Sequence, residues 1–293
     1  MEKKLMNDFV YHAPKTLPEV FEILDKYPDT SCVIGGGTDF IPKMKAKLVT
    51  PDHVIDLKAV SSLHYLTYNE NDGLWIGPAV TLRETETNAI VIEKYPVLAE
   101  GIHSMANTQV RNSGTVAGNI CNALPSADTA PALEVLNAEV KISSSFGDRI
   151  VPVTEFFTGV CRNALKPGEI VTGIHIPAPD SYASMHYKKN SIRMALDLAV
   201  VGVATYFVLD SNKVVQDARI SLGAVAIVPR RAYAAEKLLI GHALTEESIE
   251  AAAKEAAEAE CSPITDIRAT AEYRRKLVYL SIRDALHGAA AEV

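Results

Sequence analysis

Cysteine is scarce in this sequence, and its spacing excludes several kinds of site. The 293 residues contain four cysteines, and no two of them stand in a C-x-x-C arrangement. Scattered cysteines favour a reducing cytoplasm over a disulfide framework. They also argue against an iron–sulfur cluster or a zinc site held by this chain alone, because such centres need clustered thiolate or imidazole ligands. We expect no metal site from Cys32, Cys121, Cys161 and Cys261.

Long hydrophobic runs are also missing. The longest apolar stretch, near residues 198–209, has about half the length that a membrane-spanning helix needs, so we expect a buried strand there. The opening residues MEKKLMNDFVYHAP carry charges but lack the apolar segment that a secretory signal requires. These patterns predict a cytoplasmic protein without membrane insertion.

Positive charge is limited as well, and the chain shows no basic stripe. The formal net charge is −7, and aromatic residues make up 6% of the sequence. This balance argues against nucleic acid as a partner. Two basic groups, at residues 230–231 and 274–276, are expected on solvated turn or helix faces. The eight histidines are scattered and no nucleophile–base set is visible, so no catalytic residue is assigned.

Capping and turn signals divide the chain into three parts. Thr16 and Glu19 form a capping box with a proline between them, and a strand–helix–strand pattern follows. Strand and helix signals then alternate up to a linker with the sequence PAPD at residues 177–180. Three long strand patterns and two helices come after the linker. We therefore expect subdomains at 1–58 and 59–176 and a C-terminal domain at 177–293.

Two glycine-rich polar segments stand out. One is VIGGGTDF at residues 33–40, and the other is RNSGTVAGNICN at residues 111–122, roughly eighty residues later. Glycines beside Thr and Asn leave backbone N–H groups accessible, which is how a chain surrounds a phosphate. Each segment alone is also compatible with an ordinary tight turn. Neither has the Rossmann or the Walker spacing, so the pair indicates a dinucleotide held in another architecture.

Two aspartates accompany the glycine segments. Asp39 would repel a phosphate if it faced one, so we expect it to cap a helix over residues 38–47 or to hold a hydroxyl. Asp128, nine residues after Asn119, is placed to cap a helix that begins near Thr129. With a ligand bound, the Asp128 carboxylate is also able to accept hydrogen bonds from sugar or sugar-alcohol hydroxyls. Both alternatives stay open for both residues.

Together these motifs carry a resemblance to a known family. GGGTDF, followed at this distance by QVRNSGTVAGNICNALPSADTAPAL, resembles the FAD-binding medium subunit of molybdenum hydroxylases, as in xanthine, nicotinate and carbon monoxide dehydrogenases. Further landmarks are YHAP at residues 11–14, GEIV at residues 168–171, and YK at residues 187–188 followed by MALDLAVV. The resemblance extends over essentially the whole chain. One departure is Ala117, where many relatives have a glycine, so a looser backbone approach is expected there.

The resemblance implies an α+β fold of the vanillyl-alcohol oxidase/PCMH type, with two α/β subdomains that bind FAD and a C-terminal antiparallel sheet with helices. Residues 33–40 would wrap the FAD pyrophosphate, residues 115–119 would form a second phosphate clamp, and Asp128 would bind ribityl or ribose hydroxyls. Val171 would lie against the isoalloxazine with Lys188 near its polar edge, whereas Met105 would touch the cofactor or belong to the core. The implied cofactor-binding residues are Val33, Ile34, Gly35, Gly36, Gly37, Thr38, Asp39, Phe40, Met105, Thr115, Val116, Ala117, Gly118, Asn119, Asp128, Val171 and Lys188.

The resemblance also implies a place in a larger complex. FAD in this chain would take electrons from [2Fe–2S] clusters of a small partner subunit and pass them to NAD(P)+ or another acceptor. A molybdopterin-binding large subunit would oxidise the substrate, an N-heterocycle such as a purine or nicotinate, in a dimer of the hetero-complex.

Two alternatives remain at this stage. One is a self-contained FAD oxidase of the vanillyl-alcohol oxidase type, which needs a large domain to cover its substrate, and the residues after the PAPD linker are too few for it. The other is a nucleotide-binding assembly subunit without flavin, against which the paired glycine segments and Lys188 argue.

Overall fold

The computed structural model of the protein describes residues 6–292. Three main sheets follow one another along the chain, with three, five and four strands, and a two-stranded ribbon accompanies them. Each main sheet falls within one of the three expected segments, and we keep the division after residues 58 and 176 as a proposal. Residues 1–5 and residue 293, which the expected segments include, lie outside the described part.

The N-terminal segment forms a small parallel sheet. Its elements are β1 (Val10–His12), α1 (Leu17–Lys26), β2 (Ser31–Ile34), α2 (Phe40–Lys45) and β3 (His53–Asp56). The strand order is β1–β3–β2, and both outer strands run parallel to β3. Helix α1 begins where the sequence predicts, because the Thr16 hydroxyl accepts a hydrogen bond from the Glu19 amide at 3.4 Å. Strand β1 was not expected, since its exposed residues lack the pattern of a buried strand.

The central segment forms an antiparallel sheet covered by short helices. Its strand order is β4–β5–β10–β6–β7, and β8 pairs with β9 in the ribbon. The strands are β4 (Leu66–Asn69), β5 (Gly73–Ile76), β6 (Glu139–Ser144), β7 (Gly147–Pro152), β8 (Phe157–Gly159), β9 (Arg162–Asn163) and β10 (Ile170–Ile176). The helices are α3 (Leu82–Thr87), α4 (Ala89–Lys94), α5 (Pro96–His103), α6 (Thr108–Arg111), α7 (Val116–Asn122), α8 (Thr129–Val135) and α9 (Val153–Phe156).

Helix α7 changes the interpretation of the second glycine segment. The sequence suggests a loop over residues 115–119, but only the residues up to Thr115 precede the helix. Thr115 is the cap, and its hydroxyl accepts a hydrogen bond from the Gly118 amide at 2.9 Å. The sequence did not indicate this helix, because Gly118 and Asn119 lack the apolar side chains whose spacing reveals helical periodicity.

The C-terminal domain consists of an antiparallel sheet with three helices. The strands are β11 (Ala183–Asn190), β12 (Val201–Leu209), β13 (Val215–Gly223) and β14 (Arg230–Arg231), in that order across the sheet. The helices are α10 (Tyr233–Leu239), α11 (Glu246–Glu258) and α12 (Ala271–Glu292). Within residues 6–292, no helix is long and apolar enough to cross a membrane.

Strand β12 is buried on both faces and joins two hydrophobic cores. Ala204 and Tyr206 belong to the core of the central segment. Val203 and Phe207, on the opposite face, belong to the core formed with α10, α11 and α12. The buried strand predicted from the apolar run near residues 198–209 is thereby confirmed, and burial on both faces explains why the run does not alternate.

Two arginines expected on solvated faces are buried instead. Arg231 is 9% exposed, and its guanidinium donates to both carboxylate oxygens of Glu236, at 2.6 and 2.9 Å. Arg274 is 3% exposed and donates to Asp266 at 2.8 Å. A buried guanidinium is stable only with such partners. A run of basic residues in the sequence does not show whether distant residues provide acidic partners. The expectation of a solvated position was therefore wrong for Arg231 and Arg274.

Glu134 lies at the interface between α8 and the C-terminal sheet. It is 1% exposed, and the Ser221 hydroxyl of β13 donates to its Oε2 atom at 2.5 Å. Burial raises the pKa of Glu134 to about 7, although the Ser221 hydrogen bond and the charge of Arg231 act in the opposite direction. Folding thus favours the protonated carboxyl. Its contribution to stability is fully present below an unfolded pKa of 4.5 and is lost as the pH rises through about 7.

We expect Glu134→Gln to flatten this pH dependence, because glutamine is neutral at every pH and its amide oxygen can accept the Ser221 hydrogen bond. Relative to the wild type, the variant should gain thermal stability as the pH rises from about 5 to about 9. The measurement is the unfolding midpoint at a series of pH values. Glu155→Gln, at an exposed glutamate of α9, is the control and should follow the wild type. A stability difference that stays constant across this range would contradict the prediction.

Candidate functional site

The two glycine segments, distant in sequence, touch each other in the structure. A Cβ atom on Gly36 would lie 2.1 Å from the carbonyl oxygen of Ser113 and 2.5 Å from the Cα atom of Gly114. Gly37 has a φ of +71°, which residues other than glycine rarely adopt. No side chain fits between the two backbones at this point. The first and second glycine segments therefore form one continuous backbone surface.

A cavity of about 650 Å³ opens beside this contact. Its volume is within the range of about 300–1,000 Å³ that small-molecule and cofactor sites occupy. The cavity lies where all three parts of the chain meet, because the loop after β11 and the segment before α12 also reach it. The expected cofactor-binding residues that line it are Val33, Ile34, Gly35, Gly36, Gly37, Thr38, Asp39, Phe40, Met105, Thr115, Gly118, Asn119 and Asp128.

Three other expected residues lie in the hydrophobic core and not on the cavity wall. Val116, Ala117 and Val171 are 0%, 5% and 4% exposed. The first two belong to the buried face of α7, and Val171 of β10 pairs with Ile142 of β6. All three pack among the apolar residues of the central segment. The structure therefore does not bring them into the cavity.

Lys188 was expected near the cofactor, but the structure places it on the opposite face of β11. Its Nζ atom lies 2.6 Å from Asp284 of α12, and the side chain is 48% exposed. Lys189 points the other way, because successive residues of a strand alternate between faces. Its Nζ atom donates to Asp128 at 2.9 Å and to the Ser104 carbonyl at 3.1 Å. The cation that contacts Asp128 is thus Lys189, one residue after Lys188.

Asp128 is a buried acid within this polar network. It is 6% exposed, and its two oxygens accept hydrogen bonds from the Tyr187 hydroxyl at 2.7 Å and from Lys189. Burial raises the pKa of Asp128, while the charge and hydrogen bonds of its two partners favour the ionised form. Asp128 precedes α8 but makes no side-chain cap, which removes one of the two sequence alternatives. Its oxygens retain lone pairs for a ligand hydroxyl.

Asp39, the residue before helix α2, and Lys43 of that helix line the cavity. Asp39 makes no side-chain cap either, so the expectation that it caps the helix is not met. The Nζ atom of Lys43 donates to the Asn122 side chain at 2.5 Å. Sequence reasoning missed Lys43 and Asn122, although a helical spacing of four from Asp39 places Lys43 on the same face.

The C-terminal domain adds three charged residues that the sequence did not reveal. Arg193 and Asp197 lie in the loop between β11 and β12, 3.7 Å apart. Arg268 precedes α12 and lies 3.2 Å from Asp266. All of these except Asp266 line the cavity. Asp197 lies within the MALDLAVV landmark, whereas no local motif marks Arg193 or Arg268. These residues reach the site only through the packing of the third sheet on the central segment.

The residues present fit a phosphate-bearing dinucleotide. Gly36 lets the two backbone segments meet without a side chain between them. Lys43, Arg193 and Arg268 provide cations for phosphate oxygens. Asp128 offers acceptors for sugar hydroxyls, and apolar side chains such as Leu82 complete the wall. This combination of backbone, cations and apolar surface suits the different parts of a flavin dinucleotide.

Comparison with known proteins agrees with this arrangement. Residues 6–179 match the family described as the FAD binding domain in molybdopterin dehydrogenase, and residues 185–289 match the CO dehydrogenase flavoprotein C-terminal domain. The chain is 31% identical to the glyceraldehyde dehydrogenase medium chain of Sulfolobus acidocaldarius, over 92% of this chain and 94% of that one. It is 32% identical to the nicotinate dehydrogenase FAD-subunit of Eubacterium barkeri, over 84% of each chain.

A solved structure shows the same fold. It is the carbon monoxide dehydrogenase of Hydrogenophaga pseudoflava, in a form that lacks the Mo-pyranopterin moiety of the molybdenum cofactor. The two chains superpose with a TM-score of 0.93 at 30% identity, over 98% of this chain and 99% of that one. The expected fold, an α+β FAD-binding fold of the PCMH type with a C-terminal antiparallel sheet, is confirmed. The chain belongs to the family of FAD-binding medium subunits of molybdenum hydroxylases, and it is the flavoprotein subunit of an oxidoreductase complex.

Proposed function

We propose that the cavity between the two glycine segments holds the FAD, with the pyrophosphate against the backbone at Gly36 and Gly114. The close approach of Gly36 to Ser113 carries this proposal, because it joins two backbone stretches where side chains cannot intrude. Asp128 would accept hydrogen bonds from ribityl or ribose hydroxyls, and Lys189 would keep it ionised. When bound, FAD supplies a carrier that exchanges electrons singly or in pairs.

We further propose that this chain relays electrons and does not oxidise the organic substrate. A molybdopterin-binding large subunit would oxidise it, and [2Fe–2S] clusters of a small subunit would deliver the electrons to this chain. The description of the matched family and the subunit names of the relatives support this division of labour. The proposal includes a cytoplasmic assembly that pairs two such hetero-complexes. Purification from the native host, with mass spectrometry and metal analysis, tests it, and a lone homo-oligomer would contradict it.

The electron acceptor is proposed to enter a second cavity of about 1070 Å³. Arg193 and Arg268 line both this cavity and the first, so the two spaces share a wall. Arg111, Lys189 and Asp197 also line the second cavity. The guanidinium groups of Arg193 and Arg268 are partly exposed although each is paired with an aspartate. We propose that they bind the phosphates of NAD(P)+.

For the substrate of the complex we propose an N-heterocycle such as a purine or nicotinate. The nicotinate dehydrogenase FAD-subunit among the relatives supports this choice. Relatives of nearly equal identity are named for glyceraldehyde and for carbon monoxide. This spread is expected if another subunit binds the substrate. Turnover of a panel that contains purines, nicotinate and an aldehyde by the purified complex would decide among them.

The self-contained oxidase is the alternative to this proposal. It needs a large domain over the substrate, whereas residues 185–289 match the C-terminal domain of a CO dehydrogenase flavoprotein. Oxidation of a small alcohol by the isolated chain would favour the oxidase.

We expect Gly36→Ala to weaken FAD binding by at least about tenfold, because the new methyl group would meet the Ser113 carbonyl and force the two segments apart. FAD affinity is measured by quenching of flavin fluorescence on titration of the full-length apoprotein. Gly288→Ala in α12, where a Cβ atom meets nothing within 4 Å, is the matched control and should bind FAD as the wild type does. Unchanged affinity in the Gly36 variant would remove the basis of the proposal.

The adjacent lysines of β11 allow a second test of the site. Lys189→Met should weaken FAD binding, because Asp128 would lose its buried cation and shift toward the protonated form. Lys188→Met breaks only an exposed ion pair with Asp284 and should leave the affinity unchanged. The same titration measures both variants. If Lys188→Met is the weaker binder, the orientation of this strand relative to the cofactor is opposite to the one described.

Arg268→Met should raise the KM for NAD(P)+ several-fold in the assembled complex, with little change in kcat, because an exposed cation mainly assists binding of the anionic acceptor. The effect should shrink at high ionic strength. Arg230→Met, at an exposed arginine of β14 that lies on neither cavity wall, serves as the control. A complex that reduces only uncharged acceptors would refute this part of the proposal.

A further inference from the structure

A buried ion pair lies behind the wall that separates the two cavities. Glu86 of α3 and Arg111 of α6 are each 6% exposed, and the Arg111 Nε atom donates to Glu86 at 2.9 Å. Arg83 and His103 also contact the Glu86 carboxylate, at 3.1 and 2.7 Å. Burial acts to raise the pKa of Glu86, but the hydrogen bonds from His103, Arg83 and Arg111 outweigh it and lower the pKa. Glu86 is therefore a fixed anion that orients the Arg111 guanidinium.

Arg111 connects this pair to the cavity wall. Its Nη1 atom donates to the backbone carbonyl of Met105 at 2.5 Å. The turn at residues 104–107 separates the two cavities, since Met105 lines the first, Asn107 lines the second and Ala106 lines both. From the other side, Lys189 donates to the carbonyl of Ser104. The turn is thus held at two consecutive carbonyls by two buried cations.

The backbone of this turn needs such support. Ala106 has a φ of +43°, in the left-handed region that residues with a Cβ atom rarely adopt. A backbone of this kind persists only where surrounding contacts fix it. The hydrogen bonds from Arg111 and Lys189 fall on the two residues that precede Ala106. They supply the restraint from two different elements, α6 and β11.

We propose that Arg111 and Glu86 are positioning residues, which hold the turn at residues 104–107 as a rigid wall against the FAD and so set how tightly FAD binds. This inference rests on the proposed function in placing FAD in the first cavity. The side chains suit the task. The planar guanidinium offers donors in fixed directions, so one edge can be fixed by Glu86 while the other reaches the Met105 carbonyl. A lysine ammonium group is a single point of charge, so it cannot hold Glu86 and the Met105 carbonyl in the same fixed geometry.

A purely structural role is the alternative, and a second, more exposed arginine–glutamate pair serves as the comparison for it. Arg149 and Glu169 form a two-bond ion pair in the same central segment, with distances of 2.8 and 2.7 Å. Neither residue lines the two cavities. Loss of this pair should therefore affect stability alone.

The experiment compares the full-length apoprotein of five variants, one of which is Gly36→Ala, with the wild type. FAD affinity comes from fluorescence titration at a temperature well below unfolding, and the unfolding midpoint of the apoprotein is measured in parallel. Arg111→Met should weaken FAD binding by about tenfold, in keeping with the loss of hydrogen bonds from a charged group. Arg111→Lys should recover only part of the loss, and Glu86→Gln should give an intermediate effect. Arg149→Met should lower the midpoint but keep the FAD affinity within about twofold of the wild type.

The outcomes separate this inference from the proposed function. If Arg111→Met and Arg149→Met lower the midpoint alike and both keep wild-type FAD affinity, the positioning role is overturned. If Gly36→Ala weakens binding in that same experiment, the cavity assignment stands and only the positioning role fails. If Gly36→Ala also binds normally, the cavity assignment itself fails. Should Arg111→Met not fold, Glu86→Gln decides, because it removes the charge but keeps an acceptor for Arg111.

Discussion

The contact between the backbones at Gly36 and at Ser113 and Gly114 is the constraint around which the site is built. One backbone follows a strand of the parallel N-terminal sheet, and the other precedes a helix over the central antiparallel sheet. Because no side chain fits between them, the two segments are fixed at a single distance and present a continuous surface. Helices α2 and α7 follow the two segments and carry Lys43 and Asn122, which are hydrogen-bonded to each other and line the cavity.

The C-terminal domain completes the site through a second close approach. A Cβ atom on Gly202 of β12 would lie 2.5 Å from the Tyr187 hydroxyl, so this glycine leaves room for the phenol ring. Tyr187 in turn donates to Asp128 across the domain boundary. Since β12 is buried on both faces, the sheet cannot shift without disturbing two cores at once. The position of the Asp128 network therefore depends on the packing of the whole domain, and an isolated N-terminal half would lack it.

Sequence reasoning succeeded where the determining contacts are local. The capping box at Thr16 and the apolar run of β12 specify their elements directly, and the two glycine segments supply half of the residues that line the cavity. It failed where the outcome depends on contacts between distant parts of the chain. Because side chains of β11 alternate between its two faces, Lys189 and not Lys188 lies beside Asp128. No feature of the sequence shows which of the two lysines faces Asp128. Burial of Arg274 was equally invisible, because Asp266 and the carbonyl of Val200 become its partners only after the domain folds.

The charged groups around the cavity divide into two physical classes. Asp128 and Lys189 are buried and hydrogen-bonded to protein partners, so their orientation is set before any cofactor binds and costs little reorganisation when the charge of the cofactor changes. Arg193 and Arg268 are more exposed, and their influence on a ligand is screened by salt. Substitutions among the exposed residues can therefore change the charge that lines the cavities without disturbing the buried network. Under the proposed function, this separation lets the acceptor preference change while the residues around the flavin stay the same.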